Sequence, residues 1–138
     1  MQTVLNSTDV RANFGEFIDN VVRQRPQVVK RNRDTIVALS QQNLKDLLSV
    51  YRFTVDVERD EDGRYVGNLD QIDDIVADGE TMEEMYVNLA RYLIEYGQDY
   101  YSDFNRYYNS PNRRSHAYYA LRVLLEDNFE TVVGMLRA

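Results

Sequence analysis

The chain contains no cysteine. That removes a disulfide framework, a thiolate metal site and a cysteine nucleophile together, and a reducing cytoplasm is its natural setting. No stretch approaches the roughly 18 apolar residues that a membrane helix requires. The opening Met1-Gln2-Thr3-Val4-Leu5 lacks a basic segment followed by an apolar run, so no leader is expected, and the expected location is cytoplasmic with no membrane partner. There is one histidine, His116, in 138 residues. One imidazole cannot build a zinc site, and no serine or aspartate is spaced around it for a triad. It reads as an ordinary surface residue at a helix start. The phosphate-cradling patterns G-x-x-x-x-G-K-S/T and G-x-G-x-x-G are both missing. Asp70, Asp73, Asp74 and Asp78 lack the spacing and the glycine of a calcium loop, so they read as a solvated acidic loop. No catalytic residue, no metal and no cofactor are expected.

Positive charge is also scarce: 16 Lys and Arg face 23 Asp and Glu, a net charge of −7. The distribution carries more than the sum. Residues 1–50 have a balance of +2 and residues 51–138 a balance of −9. The first part suits phosphate. The second repels it and suits a basic protein partner.

Proline and glycine punctuate the chain at few places. Thr3, Val4 and Leu5 form a short strand, and Asn6, Ser7 and Thr8 offer capping side chains. Val10, Phe14, Phe17, Ile18, Val21 and Val22 recur at helical spacing over residues 8–24, with Gly15 as the place for a break. Pro26 stops that helix. Val28-Val29 and Ile36-Val37 flank the polar tip Lys30 to Asp34, which predicts a hairpin. Ser40 caps a helix with Leu44, Leu47 and Leu48. A second unit starts near Tyr51. Phe53, Val55 and Val57 alternate with polar residues, Asp60-Glu61-Asp62-Gly63 turns the chain, and Arg64 to Leu69 returns it. Residues 70–80 read as an acidic loop in which Ile72, Ile75 and Val76 can pack. Thr81-Met82-Glu83-Glu84 is a capping box. It opens one long helix with the stripe Met82, Met85, Leu89, Leu93, Tyr96, Tyr100, Phe104, ended by Asn109-Ser110-Pro111-Asn112. Helices around Ala117–Leu125 and Phe129–Leu136 follow. The fold class expected is α+β.

Two groups of side chains stand out. Lys30, Arg31 and Arg33 crowd the hairpin tip and Arg11 lies on the first helix. Asn6, Ser7, Thr8 and Asn13 can add hydrogen bonds. The pattern fits phosphate and base contact, and it equally fits a solvated tip. Nine of the eleven tyrosines fall after residue 85. Of these, Tyr92, Tyr96, Tyr100, Tyr101, Tyr107 and Tyr108 share the long helix, and Tyr100-Tyr101 and Tyr107-Tyr108 put rings on two of its sides. One reading is a partner-binding helix, since tyrosine is a hot-spot residue at interfaces. The other is core packing with hydroxyls at the rim.

The order strand, helix, Pro26, Val28-Val29-Lys30-Arg31, Ile36-Val37-Ala38-Leu39-Ser40, leucine-containing helix resembles the Phd/YefM antitoxin family. Within it Asp9, Arg11, Asn13 and Phe14 match the family's acidic-x-Arg-x-Asn-apolar pattern, and Arg31 matches the arginine ending its second strand. The resemblance covers about a third of the chain. It implies a homodimer joined through its sheets, or a higher even oligomer, with Val4, Phe14, Phe17, Val28, Val37 and Leu39 in the dimer core. It also implies operator DNA as one partner, contacted by Arg11 and Arg31 with Lys30 and Arg33 attracting phosphate, autorepression, and a small basic toxin as the other partner. Typical members carry a tail that stays flexible until it wraps the toxin, whereas residues 51–138 here read as folded.

Residues 52–97 resemble HicB-like antitoxins, through Phe53-Thr54-Val55-Asp56-Val57, the hairpin, Ala77-Asp78-Gly79-Glu80-Thr81, Glu83-Glu84 and Asn88-Leu89. That resemblance implies a partial RNase-H-like sheet, with a third strand and a helix, that covers a toxin. The expected organisation is a DNA-binding and dimerisation unit at 1–50. A HicB-like sheet plus tyrosine-rich helices at 51–138 would bind the partner or extend the dimer. The alternatives are a dimeric scaffold without DNA binding, an orphan transcriptional regulator, and an RNase-H-like enzyme using carboxylates and Mg²⁺.

Overall fold

The structure, a computed structural model, describes residues 3–138. Met1 and Gln2, the start of the opening segment, lie outside the described residues. The fold is α+β and divides into two compact units, Met1–Leu47 and Leu48–Ala138.

The first unit opens with β1 (Val4–Asn6), α1 (Ser7–Ala12) and α2 (Phe14–Arg23). β2 (Gln27–Arg31), β3 (Asp34–Ala38) and α3 (Gln41–Leu48) follow, the last residue of α3 falling past the unit boundary. The expected helix over 8–24 is two helices, and the break falls at Asn13 instead of Gly15. Asn13 adopts φ −131°, ψ 47°, and its N–H bonds back to the carbonyls of Asp9 and Val10. Its side-chain amide donates to Asp9 O at 3.3 Å, the local competition by which asparagine ends a helix. β1 pairs parallel with β2, so a crossover must join them, and α1–α2 supply it. β2 and β3 form the hairpin. Its turn is the two residues Asn32-Arg33 between the paired Arg31 and Asp34, with Asn32 at φ +54°. Ser40 Oγ accepts from Asn43 N at 3.1 Å and starts α3.

The strand register sets Val4, Val28 and Val37 in one row across the sheet, and Leu5, Val29 and Ile36 in the next row, on the other face. Val29 and Val21 are buried, but Val4, Phe14, Ile18, Val22, Ile36, Val37 and Leu47 are exposed, Phe14 and Val37 by 57% each. Phe14, Ile18 and Val22 follow one another at i, i+4, i+8, so α2 presents an uncovered apolar stripe.

The second unit is closed. β4 (Val55–Arg59), β5 (Tyr65–Leu69) and β6 (Val76–Gly79) make an antiparallel sheet in that order. Gly63 takes φ +78° in the turn between β4 and β5. β6 lies inside the stretch that composition alone reads as loop and supplies the third strand. Ile72 and Ile75 are buried before it, while Val76 stays exposed. α4 (Met82–Ser102) crosses the sheet, capped by Thr81 Oγ1 accepting from Glu84 N at 3.1 Å. The reciprocal Glu84 carboxylate accepts from Glu80 N, one residue earlier than a standard capping box. The helix start lies very close to the sheet: a Cβ on Gly79 would stand 2.5 Å from Met85 N.

α5 (Phe104–Tyr108), a 3₁₀ turn (Arg114–His116), α6 (Ala117–Leu124) and α7 (Phe129–Arg137) complete the unit. The core joins Phe53, Leu69, Ile72, Leu89, Leu93, Val123, Val132 and Val133. Burying each such aliphatic side chain contributes about 1.5–3 kcal/mol. Arg122 donates to Tyr51 O at 2.7 Å and ties α6 to the segment before β4.

Candidate functional site

The first unit carries the cationic side. Arg31 ends β2, Arg33 sits in the turn, and Lys30 faces Asn6 across the β1–β2 register. Asn6, Lys30 and Asn32 line one shallow cavity of about 310 Å³ with Val4 and Leu5. Asn6 also caps α1, its Oδ1 accepting from Thr8 N at 2.7 Å, and Ser7 is half-buried beside it. Thr8 and Asn13 are exposed. Arg11 lies in the last turn of α1. Among the described residues, Arg11, Lys30, Arg31 and Arg33 make no ion pair. These are exposed cations that no described carboxylate neutralises. The structure brings Asn6 and Lys30 together; no hydrogen bond or ion pair among the described residues joins Arg11 to the hairpin cations.

The tyrosines are used differently from a single exposed helix. α4 breaks at Asp103 (φ −142°, ψ 54°), so Phe104, Tyr107 and Tyr108 belong to α5 and turn back on their neighbours. Tyr107 lies 5.1 Å from Tyr100, Phe104 lies 5.1 Å from Tyr101, and Phe104 stacks on Tyr108 at 5.1 Å, between ring centroids. Tyr100 is fully buried, and its hydroxyl donates to Arg113 O at 2.7 Å. Tyr101 donates to Ala117 O at 2.6 Å, and burial pushes its phenol far above the ordinary tyrosine range. Two sides of the stripe are thus covered within the chain. Tyr92 is the exception: it is 46% exposed and has no ring partner among the described residues.

His116 is buried, where the sequence suggests a surface residue. Its Nδ1 lies 2.7 Å from the Tyr96 hydroxyl, which also accepts from Arg113 at 3.2 Å. Burial pushes the imidazole below its ordinary pKa, and the direction of its hydrogen bond with Tyr96 is set by the ring tautomer. Arg113 in turn pairs with Asp74 at 3.2 Å and lies over the Tyr107 ring. Sequence reasoning missed this cluster. The adjacent Arg113-Arg114 hid it, because their charge suggested solvent. Among the described residues no group of three or more acidic or histidine side chains is placed to hold a metal ion. No helix of the described residues is long and apolar enough to cross a membrane.

Residues 1–138 match the PHD_like family, described as antitoxin of toxin-antitoxin, RelE/RelB, TA system, and the chain belongs to that family. A crystal structure at 1.80 Å from Syntrophomonas wolfei subsp. wolfei, described as an antitoxin part of a toxin/antitoxin system, is similar to it. The TM-score is 0.91 and the identity 42%, over 98% of this chain and 96% of that one. Among curated proteins there is no match. Family membership implies a toxin partner and points to a regulatory role.

Proposed function

We propose that the chain is a dimeric antitoxin whose first unit, of the Phd/YefM kind, reads operator DNA and autorepresses. Its second unit, a HicB-like sheet with helices added, neutralises a small basic toxin. One observation carries the reading. The first unit pairs a cation-bearing hairpin with apolar rows that none of its described residues covers, while the second closes on its own core. A second copy seated on Val4, Phe14, Ile18, Val22 and Val37 completes the first core. A two-fold axis then presents two sets of Arg11, Lys30, Arg31 and Arg33 to successive segments of a duplex. The folded second unit replaces the flexible tail of typical Phd/YefM members.

The test is fluorescence anisotropy of the full chain with the duplex just upstream of its gene, against a scrambled duplex, over several salt concentrations. The upstream duplex should bind tighter and with strong salt dependence. Arg11→Ala and Arg31→Ala each remove two phosphate or base contacts per dimer, which lowers the salt slope by about two. No binding by a folded dimer refutes the DNA-reading part. The net charge of −7 favours a second reading, a dimeric scaffold that never meets DNA. In that case both substitutions leave every anisotropy trace flat.

A further inference from the structure

The chain's negative charge is concentrated in one stretch. Residues 70–102 hold nine carboxylates and one arginine. Most of the nine are already engaged. Arg64 holds Asp78 at 3.0 Å and Glu80 at 3.8 Å, Arg113 holds Asp74, and Arg137 holds Glu83. Asp70 accepts from the Thr54 hydroxyl at 2.6 Å and Glu84 caps α4. Asp73, Glu95 and Asp99 have no cation among the described residues. Glu95 and Asp99 fall on α4 with Tyr92 and Tyr96, at spacings of three, four and seven, which is one helix face. With Asp74, Ile75 and Val76 that face lines an open groove of about 210 Å³. Val76, on edge strand β6, is 44% exposed and Tyr92 46%. The groove therefore sets free carboxylates against uncovered aromatic and aliphatic surface.

That pairing selects its occupant. A guanidinium donates two parallel hydrogen bonds to a carboxylate and lies flat on a phenol ring, and the methylenes of an arginine cover aliphatic surface. Nucleic acid is repelled by the same carboxylates. A second copy meeting the groove across a two-fold axis would set this acidic face against itself. We propose that the groove of Tyr92, Glu95, Tyr96, Asp99 and Val76 is the docking surface for an arginine-bearing segment of a basic protein, the toxin of the pair. The proposal rests on the reading that the second unit neutralises a toxin, and it adds the face and the chemistry by which it does so.

The experiment measures binding of the full chain to the protein encoded by the reading frame next to its gene, by biolayer interferometry at several salt concentrations. Glu95→Lys/Asp99→Lys and Tyr92→Ala are compared with Glu61→Lys/Asp62→Lys, which makes the same change in net charge at the exposed β4–β5 turn. All the substituted side chains are exposed, so unchanged thermal unfolding is required of each variant. The groove reversal should weaken binding about 100-fold or more, and Tyr92→Ala about tenfold. The turn reversal should change it less than about threefold, since a rim charge acts mainly through steering. Equal loss from both reversals would mean diffuse attraction and overturn the groove. Wild-type binding that the groove variants leave intact would overturn it too, while the toxin-neutralising reading stands. A change in the variant's own oligomeric mass would give the groove to a second copy and overturn the assignment. No complex with the wild-type chain would remove the underlying reading and this inference with it.

Discussion

Val37→Asp tests whether the uncovered apolar rows are an interface. Val37 stands beside Val28 across the β2–β3 register and is 57% exposed, so about half of its side chain remains to be buried. That half is worth about 1 kcal/mol at the usual value for a buried valine. An aspartate placed there adds an unpaired polar group to the interface, at a cost of about 2 kcal/mol by protein mutational data. A symmetric interface contains the residue twice, so the loss is about 6 kcal/mol per dimer, or about four orders of magnitude in the dissociation constant. Sedimentation velocity over a dilution series reads this directly. The wild type should run as a dimer and the variant at the chain mass of 16.3 kDa. Asn32→Asp adds the same charge at the hairpin tip, where a positive φ suits aspartate, and should stay dimeric. The N-terminal amides of Val37→Asp should also lose exchange protection, because Val21 and Val29 alone make too small a core. A variant of unchanged dimeric mass, or a wild type that is monomeric with a protected first unit, would refute the reasoning.

Gly79→Ala should destabilise the second unit by about 2 kcal/mol, roughly 10 °C in melting temperature. The new Cβ meets the backbone at Met85 N, where no rotamer change gives relief; an unchanged melting curve would show that α4 can lift off the sheet at no cost. His116 titrates below its ordinary 6.5, chiefly because burial penalises the imidazolium, with Arg113 adding to the shift and Asp74 and Asp73 opposing it. The folded pKa is the lower one, so the contribution to stability is complete above about pH 6.5 and is lost as pH falls through the folded value. The single imidazole resonance in an NMR titration measures it, and a midpoint at or above 6.5 would contradict the burial argument.

Much of the fold was legible because the local signals agree with one another. The Thr81 box, the Gly63 turn, the Ser40 cap and the alternation before Val57 each act over a few residues, and each element forms where those residues stand. What composition and local pattern could not give was long-range compensation. β6 has one apolar residue facing out and one buried, so Val76-Ala77-Asp78-Gly79 carries no strand pattern of its own; the pairing with β5 makes it a strand. The tyrosines misled for a related reason. A straight helix through residue 108 would leave two sides of rings uncovered, but Asp103 breaks it, and α5 folds Tyr107 back over Tyr100. His116 is buried against Tyr96, 20 residues earlier in the chain, whose hydroxyl also accepts from Arg113, 17 residues after it.

The two units solve the problem of burial in opposite ways, and this difference separates their roles. The second unit fills its interior with residues from β5, β6, α4, α6 and α7 and from the segments before β4 and β6, and even its tyrosine hydroxyls find carbonyls inside it. It has no need of a partner to fold. Its exposed groove at Tyr92, Glu95 and Asp99 is therefore free surface, available for recognition at no cost to stability. The first unit leaves Phe14, Ile18 and Val22 on α2, and Val4 and Val37 on the sheet, without cover. Contiguous exposed apolar surface of this kind marks a face that a partner would cover. Arg11 on α1 and Lys30, Arg31 and Arg33 of the hairpin make no ion pair among the described residues, so covering the apolar rows does not neutralise them. A partner that completes the core by hydrophobic contact leaves Arg11, Lys30, Arg31 and Arg33 still facing outward, and doubles them if that partner is a second copy. Dimerisation and attraction for phosphate are thus separable by mutation: Val37→Asp should abolish both, whereas Arg31→Ala should spare the dimer and weaken only the duplex.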